Sequence, residues 1–200
     1  MQNIIEFQKV TFSYGRNEVL KDVDLVVEKG DFFAIVGPNG GGKTTILRLI
    51  LGLEVPGKGK IKIFGDKPDI NTSRAGYVPQ FSSHDRMFPI SVRDVVSQGL
   101  INRNSFFPFY NKRDLMKVEE MMDLLGIKGR AKDRFGDLSG GLKQRTLIAR
   151  AIVSDPELLL LDEPVASVDS SIEKDIYDML VELNRKMTVV MVSHDLGFVS

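Results

Sequence analysis

Gly37-Pro38-Asn39-Gly40-Gly41-Gly42-Lys43-Thr44-Thr45 is the stretch from which the rest of the chain is read. An apolar run, Phe32-Phe33-Ala34-Ile35-Val36, precedes it, and Ile46-Leu47-Arg48-Leu49-Ile50-Leu51 follows with helical spacing. A strand, a glycine-rich turn and a Lys-Thr pair opening a helix form the arrangement that holds nucleotide phosphates. The glycines let the backbone curl so that several N–H groups face one anion. A helix starting near Lys43 adds its positive dipole end. Lys43 then brings an ammonium to the β- and γ-phosphates, and Thr44 brings a hydroxyl to Mg²⁺. An ordinary glycine turn has no need of this full spacing with these flanks.

Outward from the loop, residues 4–10 read as a strand, Phe12-Ser13-Tyr14-Gly15 as a turn and Val23–Val27 as a second strand. Ile61–Gly65 reads as another strand after the break at Pro56-Gly57-Lys58-Gly59. In the middle, Ser91 and Asp94 have the spacing of a helix cap. A helix over Lys112–Leu125 follows, with Leu115, Val118, Met122 and Leu125 on its apolar stripe and Gly126 ending it. Met121 and Met122 read as core. The aromatic loop Phe106-Phe107-Pro108-Phe109-Tyr110 between these helices either folds back on them or offers a sticky patch to a partner. The last third alternates a helix over about 139–154, a strand at Leu158–Leu161, a helix from Ser170 to about Lys186 capped by Ser170 and Glu173, and a strand at Thr188–Val192. Unbroken apolar strands, rather than alternating ones, predict a parallel sheet covered on both faces.

Composition narrows the class. The 27 basic and 27 acidic residues balance, so no broad basic face for nucleic acid is expected. The absence of cysteine excludes disulfides and thiolate metal sites, and fits a reducing compartment. There is no apolar run of membrane-spanning length and no signal-peptide pattern at the N-terminus.

Three further stretches carry chemistry. Leu158-Leu159-Leu160-Leu161-Asp162-Glu163-Pro164 ends a buried strand in two carboxylates. Asp162 can reach the Mg²⁺ shell, and Glu163 is placed to orient or deprotonate a water attacking the γ-phosphate. His194, after the last strand, is suited to the γ-phosphate or that water. Gln80, in Tyr77-Val78-Pro79-Gln80, is a neutral side chain suited to the Mg²⁺ shell. Asp137-Leu138-Ser139-Gly140-Gly141-Leu142 places a serine and two glycines at a helix start, a second anion cradle. Two phosphate cradles in one chain suggest that the second serves a nucleotide held by another copy.

In this order, the motifs resemble the ATP-binding cassette (ABC) family over nearly the whole chain. GPNGGGKTT at 37–45 looks like Walker A, Gln80 like the Q-loop, LSGGL at 138–142 like the signature and LLLLDEP at 158–164 like Walker B. Asp169 looks like the D-loop residue, His194 like the H-loop, and Tyr14 like the aromatic that stacks on adenine. The resemblance implies an α/β P-loop NTPase with a RecA-like core and mainly parallel sheet, an N-terminal antiparallel β-subdomain and an inserted helical subdomain. It places the β-subdomain and Walker A region at about 1–80, the helical subdomain at 81–137 and the rest of the core at 138–200. It implies ATP and Mg²⁺ as cofactors, with Gly37 to Thr45 and Tyr14 on ATP and with Thr44, Gln80 and Asp162 on Mg²⁺. Glu163, His194 and Lys43 would carry catalysis. It implies a head-to-tail homodimer in which Ser139, Gly140, Gly141 and Asp169 reach the other copy's ATP. Other implied partners are a transmembrane permease at the cytoplasmic face of the membrane and, indirectly, an extracytoplasmic substrate-binding protein, with no nucleic acid.

Two departures stand out. Position 142 is Leu where the family usually has Gln, so a polar contact from that side chain is lost. The chain also stops soon after His194, where such cassettes commonly continue, so either a truncated chain or a minimal version of the cassette is expected. A narrower resemblance, in Tyr77-Val78-Pro79-Gln80 followed by Phe88-Pro89-Ile90-Ser91-Val92-Arg93-Asp94-Val95-Val96, is to cassettes of zinc, manganese or iron importers. The rival reading is a soluble ABC ATPase acting on nucleic acid or ribosomes. DNA-repair versions separate Walker A from Walker B by a long coiled coil, whereas about a hundred residues without heptads lie between them here. Ribosome-acting versions usually carry two cassettes per chain.

Overall fold

In the structure, a computed structural model, residues 2–68, 74–80, 89–101, 110–166 and 170–194 are described, with the side chains of Ser170 and Ser171 left aside. Asp169, most of the aromatic loop and the Ser170 side of the proposed helix cap lie outside these residues.

A three-stranded antiparallel sheet has the order β2-β1-β4, from β1 (Asn3–Tyr14), β2 (Asn17–Glu28) and β4 (Lys58–Ile63). A four-stranded parallel sheet has the order β3-β7-β6-β5, from β3 (Phe32–Val36), β5 (Ala75–Val78), β6 (Leu158–Asp162) and β7 (Thr188–Ser193). The helices are α1 (Lys43–Ile50), α2 (Val92–Ser97), α3 (Lys112–Leu124), α4 (Gly140–Ile152) and α5 (Ser170–Asn184).

The apolar runs are parallel strands because both faces of their sheet are covered. Alternate residues of one strand point to opposite faces. Leu159, Leu161, Val189 and Met191 pack with α2, α3, α4 and α5 residues such as Val95, Met122, Ile148 and Ile176. Leu158, Leu160, Val190 and Val192 pack with α1 and the antiparallel sheet, against Leu47, Ile50, Phe7 and Ile63.

Some elements differ from expectation. β1 and β2 each run for 12 residues, and the expected turn at Phe12–Gly15 shrinks to Gly15-Arg16, where Gly15 takes φ 58°. The register shifts between Phe7 and Val10 and again between Val10 and Phe12, with Lys9 at φ 47°. Such bulges break the two-residue alternation by which a long strand is recognised. β5 carries no strong strand pattern in the sequence. On α3, Val118 and Met122 are buried and Leu125 closes the stripe, but Leu115 stays exposed. Ser91 caps α2 by accepting from the Asp94 N–H at 3.2 Å, and the Asp94 carboxylate accepts from the Ser91 hydroxyl rather than from a backbone N–H.

Strand register then builds the site. Val36 pairs with Ser193, Asp162 with Val192 and Val78 with Leu161. The carboxyl ends of all four parallel strands therefore lie in one row, the edge where open α/β sheets bind ligands. The phosphate loop, Gln80, Glu163 and His194 each follow one of those ends.

Candidate nucleotide-binding and hydrolysis site

The loop after β3 is shaped by its glycines. Gly40 and Gly42 both take φ 81°, a left-handed conformation that other residues rarely adopt. A Cβ at Gly42 would also lie 2.8 Å from Leu20 Cδ2, so the loop presses directly on β2. Gly42 is the residue before α1 and offers no side-chain cap, so the first N–H groups of the helix are left for an anion. The Gly41 N–H donates to the Pro38 carbonyl at 3.1 Å, which closes the turn. Lys43 is buried, and its Nζ donates to the carbonyls of Gly37 at 2.8 Å and Pro38 at 3.0 Å.

Thr44 and Asp162, separated by 118 residues, meet where α1 faces the end of β6. The Thr44 hydroxyl donates to Asp162 Oδ1 at 3.1 Å. Burial pushes the Asp162 carboxyl above its ordinary pKa, opposed by the Thr44 hydrogen bond and reinforced by the neighbouring Glu163.

Glu163 has φ 49°, a left-handed conformation that is uncommon for a residue with a Cβ, and its N–H donates to the Val192 carbonyl at 3.0 Å. Strain of this kind clusters at functional positions. Its carboxylate, only 13% exposed, accepts from Gln80 Nε2 at 2.9 Å, and His194 Nδ1 lies 3.6 Å from the same oxygen. Gln80, Glu163 and His194, far apart in sequence, thus converge on one carboxylate.

Several of these groups share a cleft of ≈ 440 Å³, which Asp162 and His194 join through Thr44 and Glu163 rather than by lining it. Its lining includes Tyr14, Asn39, Lys43, Thr44, Gln80 and Glu163. Of the expected residues, Gly40, Gly42 and Thr45 also line it, while Gly37 and Pro38 act through the carbonyls that hold Lys43. Val19 joins the lining although no motif marks it; its place follows from the tight β1–β2 hairpin.

The signature residues stand elsewhere. Ser139 precedes α4, and its hydroxyl makes no capping hydrogen bond. It opens on a separate recess of ≈ 390 Å³ with Arg130, Arg134 and Leu142. Gly141 has a packing reason to be glycine, since a Cβ there would come within 2.7 Å of Ile172 Cγ2 on α5. Leu142 packs against the core.

The donor set fits a triphosphate with a divalent cation. Uncapped N–H groups, the Lys43 ammonium and the Thr44 hydroxyl are grouped at the start of α1, and that hydroxyl lies 3.1 Å from the Asp162 carboxylate. Among the described residues, no helix is long and apolar enough to cross a membrane.

Comparison with known proteins agrees with this geometry. Residues 20–166 match the ABC transporter family. The zinc uptake system ATP-binding protein ZurA of Listeria innocua is 40% identical over 98% of this chain and 78% of its own length. The manganese transport system ATP-binding protein MntB of Bacillus subtilis is 38% identical over 96% of this chain and 77% of its own. A solved metal-chelate type ABC transporter in an inward-facing conformation superposes with a TM-score of 0.85 at 33% identity, covering 98% of this chain and 74% of that one. An isolated ATP-binding cassette in its ADP conformation, 22% identical with a TM-score of 0.86, covering 100% of this chain and 84% of that one, shares the fold. The chain belongs to the ABC transporter family, as one of the ATP-binding subunits that hydrolyse ATP to power transport.

Proposed function

We propose that this chain energises import of a transition-metal ion such as zinc, manganese or iron, or of a metal chelate. The observation that carries the hydrolytic part is the convergence of Gln80 and His194 on the partly buried carboxylate of Glu163, beside the phosphate loop. The cargo reading is supported by the zinc uptake and manganese transport systems to which its relatives belong.

ATP enters with its base against Tyr14 and its phosphates on the N–H groups from Gly40 to Thr45. Lys43 exchanges the carbonyls of Gly37 and Pro38 for β- and γ-phosphate oxygens. Thr44 and Asp162, with Gln80, are the residues that would hold Mg²⁺; when bound, the ion neutralises charge on those oxygens. Glu163 accepts the proton of a water as its oxygen bonds to the γ-phosphorus, while the bond to the bridging oxygen of ADP breaks. His194 steadies the same water and the γ-phosphate.

The second anion cradle is used in trans. Ser139, Gly140 and Gly141 of one copy, with Asp169, cover the γ-phosphate held by the other, in a head-to-tail homodimer that closes on ATP and reopens after hydrolysis. The helical segment 81–137 passes that motion to a permease, with the chain at the cytoplasmic face of the membrane. An extracytoplasmic binding protein delivers cargo to the permease.

The test is to tag the chain in its own cell, solubilise membranes gently and identify what co-purifies. A polytopic permease, together with reduced zinc or manganese accumulation when the chain is deleted, is the expected result. Recovery of ribosomal or DNA-repair proteins without a permease would overturn the importer reading.

A further inference from the structure

Tyr14 ends β1 at the rim of the nucleotide cleft, 42% exposed, yet its ring is held from several sides. The buried Phe12 meets it edge-on, with centroids 4.8 Å apart and planes at 86°. Its hydroxyl accepts from Arg48 Nη1 at 3.3 Å and donates to Glu54 Oε1 at 3.3 Å. A phenol hydroxyl can do both at once. Arg48 belongs to α1, the helix whose first turn carries Lys43 and Thr44, and Glu54 lies just beyond its end. One rigid helix therefore presents the phosphate-binding groups at its start and the tether of the aromatic ring near its finish.

We infer that Arg48 and Glu54 are positioning residues for the base site, fixing Tyr14 by its hydroxyl so that the distance between stacked base and bound triphosphate is set before ATP arrives. The inference rests on the reading of Tyr14 as the stacking residue. An exposed tyrosine without such a tether samples several χ1 rotamers, and ordering it on binding costs affinity. With the tether, that ordering is already complete. The contribution belongs to the base alone: a ligand made only of phosphates does not touch it.

The experiment compares equilibrium binding of ATP and of inorganic tripolyphosphate by titration calorimetry in magnesium-free buffer. Tyr14→Phe, which keeps the ring, and Glu54→Ala, which removes the tether from the other side, should each weaken ATP about two- to tenfold. Tripolyphosphate affinity should stay within about twofold of wild type in both. The double variant should bind ATP no more weakly than Tyr14→Phe, because both changes delete the same contact. Tyr14→Phe binding ATP as wild type does, or ATP and tripolyphosphate weakening together in both single variants, would overturn the inference. Tyr14→Ala separates the layers. If it weakens ATP while Tyr14→Phe does not, the tether fails and the stacking reading stands. If it leaves ATP affinity unchanged, the stacking reading fails and takes the tether with it.

Discussion

Burying an ammonium is costly unless its donors are met, and Lys43 meets them inside its own loop through the Gly37 and Pro38 carbonyls. Phosphate oxygens, fully charged, make stronger acceptors than those carbonyls, so the exchange on ATP arrival is downhill. Lys43→Ala should therefore cut ATP affinity by at least about tenfold, read by titration calorimetry; unchanged affinity would remove Lys43 from the phosphate site. At this scale the sequence is legible where chemistry is local. Gly40, Gly42, Lys43 and Thr44 are neighbours, and their spacing states their task. Arg48, Glu54 and Val19 carry no such mark, because their bearing on Tyr14 or the cleft arises from contacts between distant or hairpin-paired positions.

Among the elements, β5 and α4 show how glycine sets an approach distance. A Cβ at Gly76 on β5 would fall on the Ala151 carbonyl oxygen, and one at Gly99, after α2, on the Arg150 carbonyl oxygen. The end of α4 thus presses on two glycines 23 residues apart in sequence. Gly99→Ala should lower stability by about 2 kcal/mol or more, seen as a drop in thermal midpoint. A midpoint equal to wild type would mean that α4 can move aside without cost. The β6 and β7 runs were readable as parallel strands because burial on both faces leaves one unbroken apolar pattern. Ala75-Gly76-Tyr77-Val78 was not readable as a strand, since a glycine that weakens the strand pattern is the residue that α4 requires. A different cause hid the length of β1, where bulges at Lys9 and Thr11 disrupt alternation.

Across the whole molecule, a charged cluster ties the two sheets together at the edge opposite the cleft. Arg74 Nε donates to Glu157 Oε1 at 2.7 Å, Lys29 Nζ reaches Glu157 Oε2 at 3.4 Å, and the Arg74 guanidinium lies 3.9 Å over the Phe64 ring. The Arg74 hydrogen bond, with Lys29 adding to it, holds the Glu157 carboxyl below its ordinary pKa. A carboxylate with a lowered folded pKa stabilises the fold above the unfolded value and loses that contribution as pH falls through the folded value. Glu157→Gln should therefore be less stable than wild type at neutral pH, with the gap closing in acid below the ordinary glutamate range. Thermal unfolding across pH measures it; a gap that widens in acid would contradict the sign. The pair is partly exposed, so the gap is small.

Assembly also belongs to this scale. Ser139 and the N–H groups of α4 stand apart from the cleft that holds Glu163, and the proposed head-to-tail pairing would bring them to a phosphate held by a second copy. ATP should drive Glu163→Gln into a dimer detectable by light scattering, and adding Ser139→Arg should return it to monomer. A dimer that ignores both ATP and Ser139 would break the trans arrangement. In that proposed arrangement Leu142, packed against the core, would leave Ser139 and the backbone to make the contact.

The central claim is that Glu163, strained, partly buried and bound by Gln80, takes the proton of the attacking water. Phosphate release and retained ATP, measured side by side for wild type and Glu163→Gln, test it most directly. Turnover reduced at least about a hundredfold, with ATP still bound, is the predicted result. Release at the wild-type rate by Glu163→Gln would contradict it.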